Sequence, residues 1–131
     1  MSDNSADDPK GELAIRTLAM PADANPSGDI FGGWVISQMD IAGGITAGAR
    51  ARGRVATVAV TGFTFHKPML VGDVVCCYAD IQKIGRTSIT IGIEAWARRR
   101  DESQARTKVT EGVFTFVAID EDGKPRPVPP E

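Results

Sequence analysis

The chain has 131 residues, the size of one domain. Hydrophobic residues make up 42% and charged residues 24%, an ordinary balance for a folded chain that buries a modest core. Lys plus Arg is 15 and Asp plus Glu is 17, a formal charge of −2, so nothing general in the charge draws the chain to nucleic acid or to an anionic membrane.

Residues 1–11 (MSDNSADDPKG) are polar and acidic, and read as a solvated, mobile tail. They hold no apolar run of the kind a signal peptide needs. Residues 12–20 (ELAIRTLAM) read as a short strand ended by Pro21, and 21–33 (PADANPSGDIFGG) as a loop dense in Pro, Gly, Asn and Asp. Residues 33–50 (GWVISQMDIAGGITAGAR) are the long helix candidate, with Arg50 suited to its C-terminal end.

Four strands follow, at 55–66, 73–84, 87–97 and 107–119. In the third, Ile89, Ile91, Ile93, Ala95 and Ala97 alternate along one face. Gly72-Asp73 and Gly85-Arg86 read as hairpin-length turns, and 98–106 (RRRDESQAR) as a polar, mostly basic connection. Residues 120–131 (DEDGKPRPVPPE) cannot continue a sheet and read as an extended tail or arm. One compact domain at 12–119 is expected, in the order β-α-β-β-β-β. Its class is α+β, one helix against an antiparallel sheet. No run approaches the ~18 apolar residues of a membrane span.

The helix is apolar all round, with Trp34, Val35, Ile36, Met39, Ile41, Ala42, Ile45, Ala47 and Ala49. Such helices are buried. Gly43, Gly44 and Gly48 each cost ~1 kcal/mol of helix propensity against Ala, so a close neighbour, a sheet wrapped around the helix, is expected. One chain of this size can hardly enclose such a helix, so a second subunit is expected to cover an apolar face.

Asp40 is the residue that carries most chemical information. It lies mid-helix between Met39 and Ile41, with no Lys or Arg three or four positions away. A buried carboxylate without a partner is costly and normally shifts its pKa upward. Asp40 is therefore either solvated at a gap, or capping a neighbouring backbone, or a general base or nucleophile in a cleft. Directly before the helix stands Asn25-Pro-Ser-Gly28-Asp29-Ile-Phe-Gly32-Gly33. Glycines at a helix start expose N–H groups that can hold a phosphate or a developing oxyanion. Asn25 can donate its amide to a carbonyl or cap the turn, and Asp29 can cap the helix. The run is neither a P-loop nor a dinucleotide fingerprint.

In the later turn, Gly85, Arg86, Thr87 and Ser88 bring together bare backbone, a fixed charge and two hydroxyls, a phosphate cradle or a plain hairpin. Lys67 lies beside His66 at the end of the first long strand. His66 is the sole histidine, which excludes zinc sites built on two or three. Cys76 and Cys77 are neighbours on a strand, point to opposite faces and cannot readily pair. They read as core thiols. Without a disulfide framework or a CxxC motif, the expected compartment is the reducing cytoplasm.

The stretch TLAMPADANPSGDIFGGWVISQMD, with ATVAV, FTFHKPMLVGDVVCCYADIQKIGRTSI and VTEGVFTFVAID, resembles the YciA-type acyl-CoA thioesterases of the hotdog-fold superfamily over about residues 13–120. The resemblance implies a hotdog fold, a long central helix wrapped by a curved antiparallel sheet. It implies hydrolysis of acyl-CoA to free acid and CoA without a metal or cofactor, CoA being part of the substrate. It implies homodimers with active sites at the subunit interface, assembled further into hexamers. By position, Asp40 matches the family's catalytic carboxylate, Asn25 the loop asparagine, Gly32 and Gly33 the glycines at the helix start, and Gly85 to Ser88 the turn associated with CoA. Pro26, Ser27 and His66 depart from the family pattern. Lys67 is a second candidate for the CoA phosphates. Two other readings stand beside this one. A hotdog dehydratase or hydratase needs a His with an acid near the helix, and this helix has no His. A non-catalytic acyl-CoA-binding module leaves Asp40 without a task.

Overall fold

The computed structural model describes residues 8–99 and 106–131. Most of the expected N-terminal tail (1–7) and of the expected basic connection (100–105) lies outside the described residues. The elements are β1 (Glu12–Leu18), a 3-10 turn (Pro21–Asp23), α1 (Gly32–Ala51), β2 (Val55–Phe65), β3 (Val74–Ile84), β4 (Ser88–Arg98) and β5 (Arg106–Ala118). The strands form one antiparallel sheet in the order β1-β3-β4-β5-β2. The single helix lies against it and touches every strand, the α+β arrangement expected.

The alternation in β4 decides the sheet's two faces. Ile89, Ile91, Ile93, Ala95 and Ala97 point to the helix and are buried, and Phe114, Phe116 and Ala118 of β5 join them. Glu94 and Trp96 lie on the outer face. From the helix, Val35, Met39, Ala42, Ala47 and Ala51 complete the core. Gly43 is required by contact: a Cβ there would come within 2.6 Å of both Ile93 and Phe116. The expected close neighbour is real at that position.

The helix is buried by the sheet on one side only, as expected of a chain too small to enclose it alone. Ile41 is 51% and Ile45 53% exposed, and Gly33 and Gly44 face open space. The sheet covers one face of α1 and leaves the opposite one bare.

Two smaller readings also change. Gly72-Asp73 is no hairpin, because β2 and β3 lie at separate places in the sheet. The segment after β2 crosses over, and the turn pairs instead with the end of β1, through Gly72 N–H to Ala19 O and Ala19 N–H to Asp73 O. Asp73, only 3% exposed, is held there by Arg99 at 3.0 Å and by the Leu70 N–H. The Gly85-Arg86 hairpin stands, joining β3 to β4.

Where described, the chain ends are hydrogen-bonded to the fold although largely exposed. The Lys10 N–H donates to Glu94 on the outer face. Beyond β5 the chain turns back at Asp120–Lys124, where the Asp120 carboxylate accepts the N–H groups of Asp122 and Lys124, and then runs along the sheet end.

Candidate active site

Asp40 lies half-buried on α1, at the border between its covered and bare faces. The Thr57 hydroxyl donates to Asp40 Oδ1 at 2.6 Å. Thr57 comes from the start of β2, pairs with Phe116 and therefore faces the helix. It was not among the residues singled out from sequence. Its signal was a lone hydroxyl on the helix-facing side of the otherwise apolar run Val55-Ala-Thr-Val-Ala-Val60. Among the described residues Asp40 has no ion-pair partner. Its surroundings are apolar and open: Ile41 and Ile45 on the helix, Val58 and Val60 on β2, all exposed. Of the two structural roles considered for the carboxylate, it does not cap a backbone, its bond being to the Thr57 side chain, while its half-exposed position fits a solvated gap as well as a reactive cleft.

The glycine loop is built from within. Asn25 Oδ1 accepts the N–H groups of Ser27 (2.9 Å) and Asp29 (3.1 Å), and Gly28 takes the left-handed φ of +94° that closes the turn. The asparagine oxygen is therefore committed to the loop, and its Nδ2 is the group left to donate outward. Asp29 does not cap the helix: it bridges to Leu70, and the N-cap is Phe31, which supplies no side-chain bond. The N–H groups of Gly32 and Gly33 consequently have no acceptor among the described residues. Gly32 is needed for a second reason, since Phe65 of β2 comes within 3.2 Å of where its Cβ would be. Gly33 is open. Along the helix, Gly33 and Asp40 are separated by about 10 Å, and the Asp40 Cα–Cβ bond tilts toward the glycine end.

The other predicted residues fall at two ends of the sheet. Gly85, Arg86, Thr87 and Ser88 form the β3–β4 turn, with Gly85 N–H donating to Ser88 O at 2.7 Å. Ile89 and Thr57 both pair with Phe116, which puts the turn about 10 Å across the sheet from the Asp40–Thr57 pair. Lys67 is exposed at the far end of β2, near the start of α1, so one protomer does not bring Lys67 and Arg86 together.

The remaining titratable cluster lies on the outer face. His66 Nε2 is 2.7 Å from Glu111, and Lys108 reaches both Glu111 (3.3 Å) and Glu94 (3.6 Å). The hydrogen bond from His66, helped by Lys108 and opposed by burial, holds the Glu111 carboxyl below its usual value. A cavity of about 230 Å³ opens beside this cluster, between Asp80, Glu94 and Glu111, and no predicted site residue lines it. The two cysteines are free, and burial, then Cys76, push the Cys77 thiol up to about 12, the value of an inert core thiol. Among the described residues no His/Cys/Asp/Glu group could hold a metal ion, and no helix is long and apolar enough to cross a membrane.

Comparison with known proteins gives a consistent result. The thioesterase superfamily model matches residues 27–104. The acyl-CoA thioester hydrolase YciA of Salmonella typhimurium is 58% identical over 92% of each chain. The crystal structure of the hexameric thioesterase y2039 from Yersinia pestis superposes with a TM-score of 0.90 at 58% identity, covering 93% of this chain and 99% of that one. HI0827, a hexameric broad-specificity acyl-coenzyme A thioesterase solved with one aspartate replaced by alanine, superposes with a TM-score of 0.90 at 52% identity, covering 93% and 89%. A helix laid across an antiparallel sheet, a family model matching more than half the chain and relatives more than half identical over nearly all of it place this chain in the thioesterase superfamily, with the hotdog fold.

Proposed function

We propose that this chain is an acyl-CoA thioesterase, hydrolysing acyl-CoA to the free carboxylic acid and CoA. The observation that carries the reading is the Asp40 carboxylate, held by one hydroxyl and, among the described residues, without a cation partner, on an open apolar face two helical turns from glycine N–H groups that have no acceptor among those residues. The high identity to proteins named acyl-CoA thioester hydrolases supports it.

In the proposed reaction the thioester carbonyl oxygen accepts the N–H of Gly32 or Gly33. The positive end of the helix dipole favours the charge that develops there. Asn25 holds the loop that presents these groups, and its amide NH2 is left to donate to the substrate. Asp40 takes a proton from water as the water oxygen bonds to the carbonyl carbon. The C–S bond then breaks, and CoA leaves with that proton restored to sulfur. In the direct variant the Asp40 oxygen itself attacks, and water cleaves the resulting anhydride. In both, the Thr57 hydrogen bond occupies Oδ1 and leaves Oδ2 to act. No resident cofactor enters either route.

The bare face supports a shared site. Ile41 and Ile45 of α1 and Val58, Val60 and Phe65 of β2 are exposed, and β2 is an edge strand of 11 residues with an unpaired side. A second copy of the chain covers this face in the proposed homodimer, with further assembly to the hexamer named for y2039 and HI0827. The turn Gly85–Ser88 takes the CoA phosphates through Arg86 and backbone donors. Lys67, at the other end of the sheet, can contribute only across a subunit boundary. The two free thiols suit the reducing cytoplasm as the place of action. A hydratase reading finds no support, because the sole histidine is tied to Glu111 on the face away from the helix.

The test is free-thiol release by the purified protein over a panel of acyl-CoA chain lengths. Turnover on several chains is expected. Binding of acyl-CoA without turnover on any chain would instead favour the non-catalytic module.

A further inference from the structure

We propose that the C-terminal arm, residues 125–131, is a strap that positions the β3–β4 turn for the CoA phosphates; this rests on the reading of that turn given above. The arm's composition is the first observation. In Pro125-Arg-Pro-Val-Pro-Pro130 only Arg126 and Val128 keep a backbone N–H, and both are used. The Arg126 N–H donates to Ala118 O and the Val128 N–H to Arg86 O, each at 2.9 Å. The flanking prolines fix φ, so little backbone freedom is lost when the two bonds form.

The arm is anchored from its other side by arginines. Arg50 donates to Pro129 O (2.6 Å) and Arg52 to Pro130 O (3.1 Å). Arg126 reaches back to Ala51 O at 2.9 Å, where it satisfies a carbonyl at the C-terminus of α1. A Cβ on Gly53 would come within 2.6 Å of the Arg126 guanidinium, so Gly53 leaves it room. The strap therefore ties the helix that carries Asp40 to the turn that carries Arg86.

The consequence for the turn follows from peptide geometry. In a trans peptide the C=O of one residue and the N–H of the next point in opposite directions. Val128 holds Arg86 O toward the arm, which aims the Thr87 N–H away from it. Among the described residues the N–H groups of Arg86 and Thr87 have no acceptor. The strap thus turns a backbone donor outward beside the Arg86 side chain, an arrangement suited to phosphate oxygens. Val128 is a positioning residue, acting through the Arg86–Thr87 peptide.

The test compares Val128→Pro, which removes the N–H while keeping an extended backbone, with a chain ending at Lys124 and with Arg86→Ala. Each is assayed on acyl-CoA and on the same acyl group carried by N-acetylcysteamine, which has no phosphate. Val128→Pro is expected to raise KM for acyl-CoA about threefold to tenfold, with kcat kept and with kcat/KM on the phosphate-free thioester unchanged. The truncated chain should do the same or more. If Arg86→Ala raises KM for acyl-CoA while Val128→Pro and the truncation do not, the strap is refuted and the turn's role stands. If Arg86→Ala leaves KM flat, the turn's role itself fails. Equal losses on both thioesters in Val128→Pro would make the arm a purely structural brace, and overturn the proposal.

Discussion

Two half-exposed carboxylates in this molecule each hold a short hydrogen bond, and their surroundings differ in charge and polarity. Glu111 lies on the outer face of the sheet, bonded to His66 and flanked by Lys108, which also reaches Glu94. Asp40 lies on the helix side, bonded only to a neutral hydroxyl and bordered by exposed isoleucine and valine. A carboxylate hydrogen-bonded by an imidazole and flanked by a lysine is stabilised as an anion and is a poor base. One held by a single hydroxyl keeps a free oxygen, and the apolar face around it can exclude water once covered. The contrast separates the structural acid from the one available for chemistry, although both are half-exposed members of hydrogen-bonded pairs.

Substitutions that remove each partner test the contrast, and the largest effect belongs to Asp40. Asp40→Asn keeps shape and hydrogen bonding but abolishes basicity, and should lower kcat by ~10²–10⁴-fold. Its thermal stability and its size by light scattering should match the parent protein. Thr57→Ala removes the hydroxyl that orients the carboxylate. A bond to a charged group contributes roughly 1.5–3 kcal/mol, and because water can replace part of it, a loss of about tenfold in kcat is expected, with Thr57→Ser restoring most of it.

Smaller effects lie further from the reacting carbon. Arg86 is exposed, and exposed charge contacts contribute ~1 kcal/mol or less, so Arg86→Ala should raise KM for acyl-CoA by about fivefold at low salt, by less as salt rises, and leave kcat nearly unchanged. Glu111→Gln should not change turnover at neutral pH. Its effect is on acid stability. Because the folded-state pKa of Glu111 is lowered, its contribution is present above the unfolded value, near 4.5, and is lost as pH falls through the folded value. Melting temperature followed from pH 6 downward should therefore fall less steeply in Glu111→Gln than in the parent protein.

Much of this was legible in the sequence because it is local. The alternation in Thr87–Ala97 set the faces of β4, and the glycines before the helix marked its start to within one residue. Asp40 stood out as a charge in an apolar helix. What was not legible depends on which strands lie together. Thr57 is far from Asp40 in sequence and meets it only because β2 returns along α1. The edge position of β2 follows from a crossover at residues 66–73, where a local Val-Gly-Asp turn suggested a hairpin. That the helix would need a second cover was legible from its size and apolarity, but which side the sheet leaves bare was not, because its apolar residues run all round. The arm read as a tail because its prolines exclude a strand, while the arginines that dock it, Arg50 and Arg52, lie in a distant helix end.

The central claim is that Asp40, oriented by Thr57, performs the hydrolytic step, and combining the two substitutions tests it most directly. Groups acting through one another are non-additive. The kcat of Asp40→Asn/Thr57→Ala, measured by thiol release at saturating acyl-CoA in the assembled protein, is predicted to equal that of Asp40→Asn within about twofold. A further tenfold loss in the double variant would show that Thr57 acts independently of Asp40, and turnover near that of the parent protein in Asp40→Asn would contradict the account outright.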